Sequence, residues 1–223
     1  MIHRHLLVQF SVLAATLPAV AGAQDASPVV TLGITGGSLG VGPEIGYRPI
    51  PALGFRASAN FLKLSHDVDV DDIDYNGDLH LRSYGATADL YPFESAFRLS
   101  AGLRISRNRV DLLATPLSPV SIGGTTYSPE KIGSIQAEVR ARDVAPTLTI
   151  GVARNQSRGF AWSLDAGVML HGTPRTDNLQ VTGELASNPF LQDDLARERA
   201  EIEAEIDNYK VYPLVQLAVG YTF

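Results

Sequence analysis

From about residue 28 onward, hydrophobic residues recur at every second position rather than at helical spacing. Leu53, Phe55, Ala57, Ala59 and Phe61 alternate with Gly54, Arg56, Ser58 and Asn60. Phe97, Leu99, Ala101, Leu103 and Ile105 alternate with Arg98, Ser100, Gly102 and Arg104. The same rhythm runs through Val144 to Val152, Phe160 to Leu170 and Val211 to Phe223. Successive strand residues point to opposite faces. Each segment therefore predicts a strand with one apolar face and one small or polar face. The predicted spans are 53–65, 79–91, 97–111, 135–153, 160–172 and 209–223. In 28–48, Val30, Leu32 and Ile34 sit on even positions, whereas Leu39, Val41, Ile45 and Tyr47 sit on odd ones. The parity flips across Gly36-Gly37. A tight hairpin there, reversing at positive φ, brings the count to eight strands. One long bulged strand is the alternative.

Two architectures fit alternating strands. A soluble sandwich or barrel turns the apolar face inward, and a transmembrane barrel turns it toward lipid around a polar interior. Three features favour the membrane barrel. The polar face carries charge at mid-strand, at Glu44, Arg56, Asp89, Arg98, Arg104 and Asp165. Aromatics gather at one set of strand ends (Tyr47, Tyr91, Phe93, Phe97, Phe160, Trp162, Tyr221 and Phe223), as an interfacial girdle would. Connections alternate: Pro49 to Pro51, Glu94 to Ala96 and Asn155 to Gly159 are short, whereas 66–78, 112–134 and 173–208 are long and polar. The predicted fold is all-β, an eight-stranded antiparallel transmembrane outer-membrane β-barrel. A short helix is expected in its last extracellular loop.

Composition sharpens this. The chain has 223 residues, a formal charge of −6 and no cysteine, which argues against a nucleic-acid binder and excludes a disulfide scaffold. A mean hydropathy of +0.04 excludes a bundle of membrane-spanning helices but not a barrel. Residues 1–23 have a basic start at Arg4, an apolar run from Leu6 to Leu17 and a small-x-small site at Ala21-Gly22-Ala23. They are expected to be a cleaved signal peptide, leaving 24–223 as the barrel domain. An envelope location follows, and the lack of cysteine suits passage through an oxidising periplasm.

The last residues, Tyr221-Thr222-Phe223, end an alternating strand and resemble the closing-strand signal of bacterial outer-membrane barrels. That implies the barrel-assembly machinery as a partner. The order DVAPTLTIGV (143–152), WSLDAGVMLHGTP (162–174), VTGELAS (181–187), LARERAEIEAEIDN (195–208) and YKVYPLVQLAVGYTF (209–223) is similar to the carbapenem-resistance-associated outer membrane protein family, described as ornithine-uptake porins. DIDYNGDLHLRSYGATADLYPF (72–93) resembles barrel proteins of the same kind. The resemblance implies a narrow eight-stranded barrel and uptake of small basic amino acids.

Eight strands enclose room for side chains or one small ligand. The set expected to face the lumen is Glu44, Arg48, Arg56, Asn60, Asp89, Arg98, Arg104, Asp165 and Gln216. Four arginines facing three carboxylates form either a salt-bridged plug or a charge-selective path. The loop 66–78 contains Asp72-Ile73-Asp74-Tyr75-Asn76-Gly77, which matches the start of a calcium-binding EF-hand loop. The twelfth position, however, is Ser83 rather than Glu. Asp69, Asp71, Asp72, Asp74 and Asn76 are the candidate ligands for a loosely bound calcium ion, and the chain is expected to have no other cofactor. In 173–208, Asn188-Pro189 predicts a helix start. The stripe Leu191, Leu195, Ile202 and Ile206 is expected to pack on the barrel mouth, with Arg197–Glu201 and Arg199–Glu203 as surface pairs. His66 and His80 flank the acidic loop, and His171 at a strand end is the one candidate base. No nucleophile motif accompanies it, so no enzymatic activity is expected. Outer-membrane lipid and lipopolysaccharide are the expected surroundings. The expected function is a narrow porin-like channel for small solutes such as amino acids. The alternative is a non-conducting structural or surface-interaction barrel acting through its loops.

Overall fold

A computed structural model describes residues 28–70, 73–155 and 157–223. The segment read as a signal peptide lies outside the described residues. In chain order the strands are β1 (Val29–Gly37), β2 (Gly40–Ile50), β3 (Leu53–Val70), β4 (Ile73–Leu90), β5 (Phe97–Ser106), β6 (Arg109–Pro116), β7 (Val120–Ile122), β8 (Thr125–Tyr127), β9 (Ile135–Arg140), β10 (Val144–Arg154), β11 (Gly159–Met169), β12 (Arg175–Val181) and β13 (Tyr212–Thr222). The helices are α1 (Pro129–Ile132) and α2 (Pro189–Ile206), and Pro92–Glu94 form a 3-10 turn. Among the described residues no helix is long and apolar enough to cross a membrane.

Eight strands pair in a closed antiparallel ring, in the order β1, β2, β3, β4, β5, β10, β11, β13 and back to β1. The alternation has the predicted consequence. Ile34, Leu103, Ile150 and Val215 stand on the outer wall at 55–58% exposure, whereas Asp89 and Arg98 inside the ring are at 0% and 1%. The ring is thus apolar outside and charged within.

The first hairpin exists, but its reversal is displaced from Gly36-Gly37. Those glycines stay in β1, the chain turns at Ser38-Leu39, and the positive-φ residue is Gly40 at +93°. A side chain at Gly40 would also meet the Phe61 carbonyl at 2.5 Å. Leu39, expected on an outer strand face, folds inward from this turn and is buried. Tyr91, expected in the aromatic girdle, is buried as well, whereas Tyr47, Phe93, Phe160, Tyr221 and Phe223 are exposed.

The long connections are more ordered than their polar composition suggests. Within the segment 66–78, the described residues are strand and not loop: β3 and β4 continue in register to Val70 and Ile73. The predicted single spans 97–111 and 135–153 each divide where the chain leaves the ring, at Arg107-Asn108 and at Ala141 to Asp143. The lower half of β4 pairs with β5, and its upper half changes partner to β6. At that seam the Asn108 side chain accepts from the Arg82 amide at 2.9 Å, and the Arg107 amide donates to the Arg82 carbonyl at 2.7 Å. These bonds satisfy the backbone where the ladder is interrupted. Beyond β6 the sheet continues through β9 to β12, and β7 and β8 form a separate ribbon.

The helix α2 is longer than the short element expected. Asn188 caps it, accepting from the Phe190 amide at 2.9 Å, with Pro189 in the first turn. Its buried leucines do not pack on the ring. Leu191 and Leu195 instead join Ile122, Ile132, Leu179 and Val181 in a core of the outer sheet, separate from the ring. Tyr127 donates to Asp194 at 2.6 Å, and Glu198 accepts from the Gly123 amide at 2.9 Å. Arg197 bonds to Asp194, and Glu203 accepts from the Thr176 amide, in place of the two helix-surface pairs expected.

Candidate functional site

The lumen is filled in three layers. At the short-turn end, Arg48 donates through Nε to the Pro51 carbonyl at 3.0 Å and stacks over the Tyr91 ring at 3.6 Å. Asn155 joins them, accepting from Arg48 at 3.4 Å and donating to the Tyr91 hydroxyl at 3.2 Å. Cation–π stacking of this kind strengthens when desolvated.

The middle layer gathers Glu44, Arg56, Asp89, Arg98 and Asp165 from five ring strands. Arg56 donates to both Asp89 oxygens, at 2.6 and 3.0 Å, and reaches Asp165 at 3.3 Å and Glu44 at 3.5 Å. Arg98 donates through Nε to Asp165 at 2.9 Å, makes a second bond to the same carboxylate, and stands 3.8 Å from Asp89. Ser100 accepts from Arg56 at 3.3 Å. Two-point arginine–carboxylate contacts fix orientation as well as charge. The ladder position between Arg98 and Asp165 is glycine, where the cluster needs room: a Cβ at Gly151 would lie 2.3 Å from an Asp165 oxygen.

Above it, Arg104 donates to Asn60 at 2.6 Å, Ser83 at 3.0 Å and Ser58 at 3.1 Å, and Gln216 accepts from Thr35 at 3.3 Å. Gly85 leaves the space for this guanidinium, since a Cβ there would meet it at 2.6 Å. The long-loop end of the ring is closed by an apolar plug of Leu39, Ala145, Met169 and Leu214, with Tyr212 against it. The Tyr212 hydroxyl donates to the Ser38 carbonyl at 2.6 Å and ties the first turn to β13. All nine residues expected in the lumen lie at these layers. The alternation did not point to Tyr91 or to the plug. Met169 and Leu214, apolar residues on the inward parity near strand ends, were the available signal.

Two voids remain. One of about 30 Å³ is lined by Glu44, Gly46, Arg56, Arg98, Asn155 and Ser163, toward the short turns. Another of about 50 Å³ is lined by Asn60, Thr87, Arg104, Thr147 and Gln216, and also by Glu44 and Arg56. The Glu44–Arg56 pair divides them. At about 10–15 Å³ per water, each holds a few waters and nothing larger.

The other candidates are dispersed. Asp74 and Asn76 lie in β4, paired opposite Asp69 and Asp67 of β3, and Asp71 and Asp72 fall outside the described residues. Ile73 to Asn76 is extended strand rather than the coiled backbone of a calcium loop. Among the described residues, no three His, Cys, Asp or Glu side chains converge as a metal site. His171 is buried beside Tyr212, with ring centroids 6.3 Å apart, and burial pushes its pKa down.

No family model matches the sequence, and no curated protein matches it. Solved structures share the fold, CarO2 and CarO among them. CarO2 of Acinetobacter baumannii is 19% identical with a TM-score of 0.58, and the match covers 88% of this chain and 99% of that one. CarO of the same organism is 18% identical with a TM-score of 0.56, covering 86% and 97%. The resemblance to the carbapenem-associated outer membrane proteins is thus present in the architecture.

Proposed function

We propose that the chain is an integral outer-membrane β-barrel whose lumen is closed, and that it acts through the surface built at its long-loop end. The observation that carries this reading is the buried five-residue ion cluster, which divides the interior into two voids of about 30 and 50 Å³. Buried charges need partners, because removing one partner costs about 3–5 kcal/mol. A cluster satisfied this fully is a structural plug. The apolar plug above and the Arg48–Tyr91 stack below close the same axis twice more. The exposed apolar wall and the likeness in fold to CarO support the membrane location.

A narrow channel for small solutes, amino acids among them, is the second reading. One observation favours it: polar voids lie on both sides of the cluster, so one side-chain rearrangement at Arg56 would join them. Conductance across a planar bilayer separates the two. The closed barrel gives no unitary steps with purified protein. Reproducible steps, altered by Arg56→Gln, establish the channel and discard the plug.

A further inference from the structure

The register of the outer sheet sorts charge into rows. Lys63 of β3 lies directly opposite His80 of β4, and His80 opposite Arg109 of β6. Arg109 lies opposite Arg140 of β9, which lies opposite Arg175 of β12. Two residues farther from the ring, Asp78, Asp111, Glu138 and Asp177 stand opposite one another in the same way. Like charges directly opposite across strands are destabilising, and alternating signs within each row would have avoided the cost. The stability of the sheet does not account for the sorting.

The face that carries the rows is defined by its neighbours. On β9, Ile135 and Ala137 pack toward the α2 core, so Glu138 and Arg140 lie on the other side. On β3, Lys63 shares the parity of exposed Phe61 and continues the outer wall of the ring. The acidic row neutralises part of the basic one. Arg109 meets Asp111 at 2.9 Å, His80 meets the same carboxylate at 3.4 Å, and Arg140 bonds to Glu138 and stands 3.8 Å from Asp177.

At the Lys63 end of the row three cations lie together, Lys63 itself and the neighbouring Arg82 and Arg107. Among the described residues, Lys63, Arg82 and Arg107 make no ion pair; Arg82 donates to the Tyr84 hydroxyl at 2.9 Å. They mark the end of the apolar wall on three adjacent strands, where Phe61 is followed by Lys63, Tyr84 is preceded by Arg82, and Ile105 is followed by Arg107. With Val41, Phe61 and Arg109 they line a surface depression of about 920 Å³.

We propose that this depression binds the phosphate groups of a phosphorylated glycolipid in the outer leaflet. The phosphates sit on Lys63, Arg82 and Arg107, and the acyl chains lie along Phe61, Val41 and the wall below. The site rests on the outer-membrane reading above. Guanidinium groups match phosphate oxygens two at a time. A lipid rather than a free phosphate is favoured because the depression opens onto exposed apolar wall. Segregated rows suit an interface, where charge is selected by its distance from the apolar layer rather than by its cross-strand partner.

The test uses the full chain purified in detergent, with bound lipid counted by native mass spectrometry. The probes are bisphosphorylated lipid A, the same lipid with its phosphates removed, and inorganic phosphate. Each Lys or Arg beside an anionic headgroup contributes roughly fivefold in affinity. The variant combining Lys63→Gln, Arg82→Gln and Arg107→Gln is therefore expected to bind the bisphosphorylated lipid on the order of a hundredfold more weakly. The wild type is expected to prefer that lipid over the dephosphorylated one by a similar factor. Equal binding of the two lipids by the wild type overturns the site without recourse to any variant. Unchanged binding by the variant overturns the residue assignment. Displacement of the lipid by equimolar inorganic phosphate overturns the lipid assignment in favour of a free anion. Membrane fractionation is scored separately. Absence from the outer-membrane fraction sinks the location and the site with it, whereas an outer-membrane protein indifferent to phosphate sinks the site alone.

Discussion

At the scale of single residues, the interior is organised by which carboxylate holds which guanidinium. Asp165 serves both Arg56 and Arg98, and its side chain is 6% exposed. Glu44 holds only Arg56, at 3.5 Å, and is 16% exposed. Neutralising Asp165 leaves Arg98 with Asp89 alone at 3.8 Å, its side chain 1% exposed. Asp165→Asn is therefore expected to destabilise the barrel by about 3–5 kcal/mol, as removal of one partner from a buried pair does. Glu44→Gln should cost clearly less, because its contact is longer and its side chain wetter. Urea unfolding of the two variants in lipid vesicles checks the order. Equal losses would show that the cluster acts as one unit rather than through Asp165.

At the scale of elements, the outer sheet and α2 form a core of their own. Leu191 is fully buried in it, among residues contributed by α1, β7 and β12. Leu191→Ala is expected to cost about 2–5 kcal/mol there. Hydrogen exchange should localise the effect: amides of α2 and β12 lose protection, while those of β11 and β13 keep it. Loss of protection throughout would mean that ring and outer sheet fold as one. The ring strands were legible because each buries one face and exposes the other, which writes period two into the sequence. The N-terminus of α2 was legible through the Asn188 cap. The outer sheet was not. Its strands β6 and β12 read as the tail of one span and as part of a polar loop, because their charged face breaks the apolar count. The strand conformation of the acidic segment was not legible for a related reason. Its alternating aspartates suit an exposed strand as well as a loop, and pairing with β3 decides between them. The lumen residues followed from parity alone, whereas the rows of like charge depend on cross-strand register, which no single strand encodes.

At the scale of the molecule, the outer sheet joins the ring along one ladder, the upper half of β4 against β6, and the barrel is expected to stand without its superstructure. The ends of each insertion already lie side by side. Ile105 pairs with Val144, and the Ser106 amide donates to the Asp143 carbonyl at 2.6 Å. Met169 pairs with Tyr212, and the Gly172 amide donates to the Lys210 carbonyl at 3.2 Å. Excising 109–140 and 173–208 together thus leaves two short hairpin loops, and shortening a loop lowers the entropy of closing it. The ion cluster, the apolar plug and the Arg48–Tyr91 stack all belong to segments that remain. The doubly excised chain is expected to fold into a barrel that shows heat-modifiable gel mobility like the parent. It should also keep the lipid A preference carried by Lys63, Arg82 and Arg107 while losing whatever partner the outer sheet engages. Failure to form a heat-modifiable barrel, with each single excision failing too, would show that the outer sheet is a folding requirement of the ring rather than its working surface.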